Sequence, residues 1–351
     1  MKYWLIIILV LIGIVGLYLA SSIIILYIGN QKVFGFHGSD PDNPCYQRFE
    51  DYDKELERDE YQCGYYLKCI RGYIYRKKDI SPEKIKGFII LSHGLFGTHI
   101  QYMADIYLLC MNGYEVLAYD QYGCGISDGK SMEYLANGIY VCENVIHDVI
   151  KRNVNKDLPI LLYGHSWGAY SVMGAMKEYP QIKGVIARSS PISPSLAADD
   201  LMKAFKMKTR YFLLPGFKLS LFFLLGFHNS VSAKRGLRKN HTSPVLLIQA
   251  KNDNMVLFKH SLAAYYLKKP KTNVSCFITE NGLHNSIISE EGSKAYSEKV
   301  KEYKTILKDN SLVRQEEIEK FEAGLNRREM YPYQDIVKDK IIEFFDECIK
   351  K

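Results

Sequence analysis

Between Leu158 and Gly168 the chain reads Leu-Pro-Ile-Leu-Leu-Tyr-Gly-His-Ser-Trp-Gly, and few folds accommodate that string. The apolar run Ile160 to Tyr163 is expected to form a buried strand. A helix-compatible segment, Ala169 to Tyr179, follows the five residues Gly164 to Gly168. Strand, G-x-S-x-G turn, helix is the order in which a sharp turn lifts a serine hydroxyl off the end of a sheet. Such a turn leaves no room for side chains two residues either side of the serine, hence Gly164 and Gly168. Ser166 is then expected at the tip of the strand. A glycine-rich surface turn has the same five letters; the flanking strand and helix favour the first reading.

Other apolar runs repeat the theme. Lys86 to Ser92, Tyr114 to Tyr119, Ile182 to Ala187, Ser243 to Ala250 and Val274 to Thr279 read as strands, and Tyr65 to Lys77 as a strand pair turning at Arg71-Gly72. Helical patterns lie between them, at Ile100 to Asn112 and Met132 to Val154. Strands alternating with helices predict an α/β protein with a mostly parallel sheet and helices on both faces. Ligands bind such sheets at the carboxyl ends of the strands. Leu95, Ser166, Asp253 and His284 all fall just past expected strand ends.

A serine hydroxyl is a weak nucleophile at neutral pH, so it needs a base and a carboxylate that orients the base. His284 is the candidate base and Asp253 the candidate acid. The oxyanion formed on attack needs donors, each worth about 2.7–4 kcal/mol in a measured case. The backbone N–H groups of Trp167 and Leu95 are the candidates. Taken singly, Asp253 reads as a turn former and His284 as one of nine histidines; the constellation selects them. His165 reads as packing, and Asp120 as a residue that hydrogen-bonds a loop. No metal or cofactor is implied. The eight cysteines have irregular spacings with no C-x-x-C pair, against a zinc site. Cys63 and Cys69 are spaced either to face each other or simply to be buried. A net charge of +7 without an Arg-rich or aromatic–basic module argues against nucleic acid.

Together His93-Gly94-Leu95-Phe96-Gly97, the Asp120–Ser127 segment Asp-Gln-Tyr-Gly-Cys-Gly-Ile-Ser, Gly164 to Gly168, Asp253 and Gly282-Leu283-His284-Asn285 resemble the α/β-hydrolases. The nearest group is the serine aminopeptidase and monoacylglycerol-lipase-like set with its membrane-anchored relatives. The resemblance covers about residues 65–300. It implies the chain order serine, acid, histidine, a Ser166–His284–Asp253 triad and a lid inserted over the site. Tyr122 stands where the family's Asp-x-Arg-Gly-x-Gly-x-Ser has arginine. The segment after His284 is longer than the family norm.

Leu5 to Ile28 carries no charge and exceeds the roughly 20 residues that span a bilayer. An uncleaved anchor is favoured over a signal peptide, whose apolar core is usually shorter. The short head before a large domain suits an extracytoplasmic catalytic domain. The expected layout is an anchor at 1–30, a linker at 31–64 and a hydrolase domain at 65–351. That domain carries a cap at 191–243 and a helical extension at 290–351. Glu50 to Glu60 reads as a solvated linker or exposed helix, and the stretch from Ile341 to Ile349 as a core-facing helix. From Leu201 to Ser243 there are nine Lys/Arg and no Asp or Glu, with apolar runs at 212–217 and 221–227. Such a cap suits an anionic lipid surface or an acyl pocket, or packs as an ordinary helical cover. The expected activity is cleavage of a lipid or acyl ester. A peptidase and a silent binding scaffold are the alternatives.

Overall fold

Strands without a polar face must be covered on both sides. Phe88, Ile89, Ile90 and Leu91 are all fully buried, as are Leu161 and Leu162. The computed structural model describes residues 2–39, 43–204, 206, 208, 213, 215–216, 232–240, 242–285, 287–308, 314–330 and 332–350. Its strands are β1 (Leu56–Tyr65), β2 (Lys68–Lys77), β3 (Gly87–Ser92), β4 (Tyr114–Tyr119), β5 (Ile160–His165), β6 (Gly184–Arg188), β7 (Val245–Ala250) and β8 (Val274–Thr279). They form one sheet in the order β1-β2-β4-β3-β5-β6-β7-β8. Neighbours from β4 to β8 pair in parallel, while the β1–β2 and β2–β4 pairs are antiparallel.

Side chains alternate across a strand, so each run feeds two cores. Phe88, Ile90, Leu162 and Leu247 face α3 (Asn137–Lys151), α4 (Trp167–Ala175), α6 (Ala233–Lys239) and α7 (Leu262–Lys268). Ile89, Leu91, Leu161 and Ile248 face α2 (Met103–Met111) and α10 (Asp335–Ile349), where Ile341, Phe344, Phe345 and Cys348 are buried. That is the helix face expected from the spacing. A smaller cluster of Cys45, Tyr303 and Phe321 joins the 43–51 segment to α8 (Glu290–Ile306) and α9 (Arg314–Ala323).

The hairpin differs from expectation. It turns at Tyr66-Leu67, not at Arg71-Gly72. Gly72 lies inside β2, where a Cβ would collide with the Ala118 carbonyl oxygen of β4, so this glycine marks a close approach of two backbones. The acidic stretch before Tyr61 becomes much of β1. It is an edge strand whose outward Glu57 and Asp59 both pair with Arg76, at 2.6 and 2.5 Å. Cys63 sits opposite Ile70 and Cys69 opposite Gly64, so the two thiols lie on opposite faces of the ribbon and both are free.

The cap begins with α5 (Pro194–Ala204) and ends with α6. Of the apolar runs at 212–217 and 221–227, all but Leu213, Pro215 and Gly216 lie outside the described residues. At the other end of the chain, α1 (Lys2–Phe34) is long and apolar enough to cross a bilayer, and a signal sequence meets the same test.

Candidate active site

The turn between β5 and α4 is built as the glycines require. A Cβ on Gly168 would strike the Ser92 carbonyl oxygen, and one on Gly164 would press on Gly168. Helix α4 can therefore start directly against the end of β3. Ser166 adopts φ 56°, ψ −115°, a conformation a side-chain-bearing residue holds only when its surroundings impose it. Its N–H donates to the Arg188 carbonyl at 2.9 Å, which ties the turn to β6. Three further non-glycine residues nearby have positive φ: Phe96 (62°), Ser189 (50°) and Leu283 (50°).

The three side chains selected from sequence meet. Ser166 Oγ lies 2.9 Å from His284 Nε2. His284 Nδ1 lies 3.0 Å from both oxygens of Asp253. A carboxylate only accepts, so Nδ1 carries the hydrogen and Nε2 presents its lone pair to the serine O–H. Asp253 is fully buried and also accepts from the amides of Met255 and Val256, each at 2.9 Å, and from Gln249 Nε2 at 2.9 Å. Burial alone would raise its pKa. The hydrogen bond and charge of His284, with the two amides, outweigh burial and hold the carboxyl below its usual value. A buttress lies behind it: Asp200 accepts from the Leu257 amide at 3.0 Å and pairs with His260 Nδ1 at 2.6 Å.

The two oxyanion candidates also lie at the site. The Trp167 N–H opens α4 and has no acceptor within the helix. Leu95 follows Gly94, where an added Cβ would stand 3.4 Å from Ser166 Cβ. The Trp167 indole is buried and donates to the Leu135 carbonyl at 2.7 Å.

Sequence reasoning missed the wiring behind the serine. The Gly94 N–H donates to the Tyr102 hydroxyl at 2.8 Å, and that hydroxyl lies 2.7 Å from His165 Nδ1. His165 Nε2 lies 2.9 Å from the His284 carbonyl oxygen. A carbonyl can only accept, so Nε2 carries the proton, Nδ1 accepts, and Tyr102 donates. Burial, the Arg188 guanidinium and His284 push the His165 pKa well below its usual value, which keeps the ring neutral. His165 thus joins the loop carrying Leu95 to the loop carrying His284, a role nothing in its local sequence marks. Below it, fully buried Arg188 pairs with Asp105 at 3.2 Å and donates to Asn285 Oδ1 at 3.3 Å. Asp120 accepts from the His99 and Ile126 amides at 2.7 and 3.0 Å and so holds its loop as expected.

Comparison with known proteins agrees with this architecture. Residues 83–220 match the family serine aminopeptidase, S33, a stretch that includes Leu95, Ser166 and Trp167 but ends before Asp253. A proline iminopeptidase of Thermoplasma volcanium is 30% identical over 139 residues, 39% of this chain and 46% of the relative. A monoglyceride lipase of Saccharomyces cerevisiae is 28% identical over 132 residues, 34% of this chain and 40% of the relative. The chain thus spans less than half the length of either. The structure of a Pyrococcus furiosus esterase superposes with a TM-score of 0.51 at 20% identity, over 75% of this chain and 96% of that one. The fold is that of the α/β-hydrolases.

Proposed function

We propose, for a chain that belongs to the α/β-hydrolase superfamily, a serine hydrolase that cleaves a carboxylic ester through an acyl-enzyme. One observation carries the reading: the continuous line of hydrogen bonds from Ser166 through His284 to a buried, ionised Asp253. His284 takes the Ser166 proton as Oγ attacks the carbonyl carbon. Asp253 holds the imidazole in the required tautomer and stabilises its charged form. The amides of Trp167 and Leu95 receive the oxyanion. His284 then returns the proton to the leaving alcohol, and a water molecule repeats the cycle on the acyl-enzyme.

The reading extends to a lipid or acyl ester presented at a membrane. Its support is the charge-free run of α1 and the stretch from Leu201 to Ser243 in the cap, with nine basic and no acidic residues. On this reading α1 is a single-pass anchor and the catalytic domain is extracytoplasmic. The similarity to a proline iminopeptidase favours a second reading, hydrolysis of an aminoacyl amide.

The test is labelling of the full-length chain by a fluorophosphonate, with Ser166→Ala and His284→Ala beside the wild type. Labelling is expected in the wild type and lost in both variants. A folded, unlabelled wild type would overturn the hydrolase reading. Esters of rising chain length set against aminoacyl amides separate the two substrate classes.

A further inference from the structure

The end of α1 is built into the rim of the site. Phe34 is buried and meets the Trp167 ring edge-on at 6.2 Å, one residue from Ser166. Asn30 Nδ2 donates to the Glu133 carbonyl at 2.8 Å, and the Glu133 N–H donates to the Phe34 carbonyl at 3.2 Å. Phe36 stacks on Phe96, next to Leu95, with the rings 3° from parallel. A second contact lies higher on the helix, inside its charge-free run, where the Tyr18 hydroxyl accepts from the Gly216 amide at 3.2 Å, so the cap meets α1 at the depth of the leaflet that α1 would cross.

This attachment dictates which edge of the sheet faces a bilayer that α1 crosses. Twenty residues counted from Tyr3 end at Ser22, and the charge-free run ends at Gln31. At about 1.5 Å per residue and about 20 residues per span, Phe34 stands roughly 5–18 Å beyond the hydrocarbon. The carboxyl ends of the strands, with Ser166 among them, lie at that level.

The exposed apolar side chains have the same bias. Outside α1, nine large hydrophobic residues are exposed among the described residues. Six of them, Phe36, Tyr66, Leu67, Phe96, Ile126 and Leu283, sit on loops at this edge. The hairpin tip belongs there because Gly72 pairs with Tyr119, the last residue of β4, so residues 66–71 overhang the carboxyl edge. Leu67 is 98% exposed at that tip. A bilayer interface accepts such groups along the edge that faces it.

We infer that the carboxyl edge of the sheet is a membrane-docking surface. It is held against the leaflet by α1 and seated through the β1–β2 hairpin tip, so that an acyl substrate passes from the bilayer to Ser166 without crossing water. The inference rests on the reading of α1 as an anchor and deepens the lipid-ester assignment. The cap's basic composition makes an anionic leaflet the preferred surface.

The test uses the full-length chain in liposomes containing brominated anionic lipid. Leu67→Trp and Leu267→Trp are compared in a Trp4→Phe background, with the emission of Trp167, which every variant keeps, subtracted using the Trp4→Phe parent; Leu267 is half exposed at the end of α7, on the opposite edge. Tryptophan at 67 is expected to be quenched at least threefold more than tryptophan at 267. Equal quenching would overturn the inference. This readout needs no turnover, so it stands even where fluorophosphonate labelling fails and the hydrolase reading falls. In an active protein, Tyr66→Asn combined with Leu67→Glu is expected to keep hydrolysis of a water-soluble short ester within twofold. Hydrolysis of a long-chain ester embedded in the bilayer is expected to fall at least tenfold. Unchanged activity on the embedded ester would also overturn it.

Discussion

Replacing Tyr102 by phenylalanine removes one oxygen and almost no volume, so it isolates the hydrogen-bond line behind the serine. In the wild type that oxygen accepts from the Gly94 amide at 2.8 Å and donates to His165 Nδ1 at 2.7 Å, in a site only 7% exposed. Without it the buried Gly94 N–H has lost its acceptor, at a cost of about 1–3 kcal/mol. The loop is expected to relieve that cost by turning, which would move the Leu95 amide off the proposed oxyanion position. The ceiling on the kinetic loss is the value of one whole oxyanion donor, about 2.7–4 kcal/mol. A partial displacement of about 1.4–2.7 kcal/mol corresponds to a tenfold to hundredfold fall in kcat. KM for a short p-nitrophenyl ester is expected to stay within twofold, because the ester's ground state does not use the oxyanion donors fully. Affinity for a boronate that mimics the tetrahedral state is expected to fall with kcat. The assay is steady-state hydrolysis with boronate inhibition, on protein whose thermal unfolding is measured in parallel. A folded variant with wild-type kcat, or a loss confined to KM, would refute the claim that this line positions the oxyanion loop.

Two further expectations concern stability. His165 is neutral in the fold and titrates well below its usual value, whereas in the unfolded chain it takes up a proton near pH 6.5. The unfolded state therefore binds more protons below that pH. The contribution of His165 is complete above about pH 6.5 and is lost as acid is added, by up to about 1.4 kcal/mol per pH unit. Denaturant unfolding at pH 7.5 and 5.5 is expected to show this slope in the wild type and a shallower one in His165→Asn; parallel slopes would count against a buried neutral imidazole. Phe345 is fully buried between Tyr114 and Tyr163 on the α10 face, with ring centroids 6.0 and 6.5 Å away. Phe345→Ala is expected to cost about 3–5 kcal/mol, read as a lower denaturation midpoint. A loss below about 1 kcal/mol would mean that α10 is not part of the main core.

The architecture was legible in the sequence because its parts are local. An unbroken apolar run such as Ile160 to Tyr163 can be satisfied only by cover on both faces, and a serine between two spaced glycines after such a run has few conformations open to it. Asp253 and His284 were legible as strand-end residues in the right order, which is all that a linear pattern holds. Other features arise between segments far apart in the chain. Gly72 looked like a turn because what it meets is the backbone of β4, 46 residues away at Ala118. The acidic run before Tyr61 looked solvated because its partner Arg76 lies on the neighbouring strand. The role of His165 depends on Tyr102 and on the His284 carbonyl, 63 and 119 residues distant. The sequence by itself therefore determined which strands are buried, where Ser166 stands and in what order Asp253 and His284 follow. Only the tertiary structure decided what holds those groups in register and against which edge of the sheet α1 is anchored. Periodicity and turn chemistry are written in neighbouring residues, whereas a hydrogen bond across the fold exists only once the chain has brought its ends together.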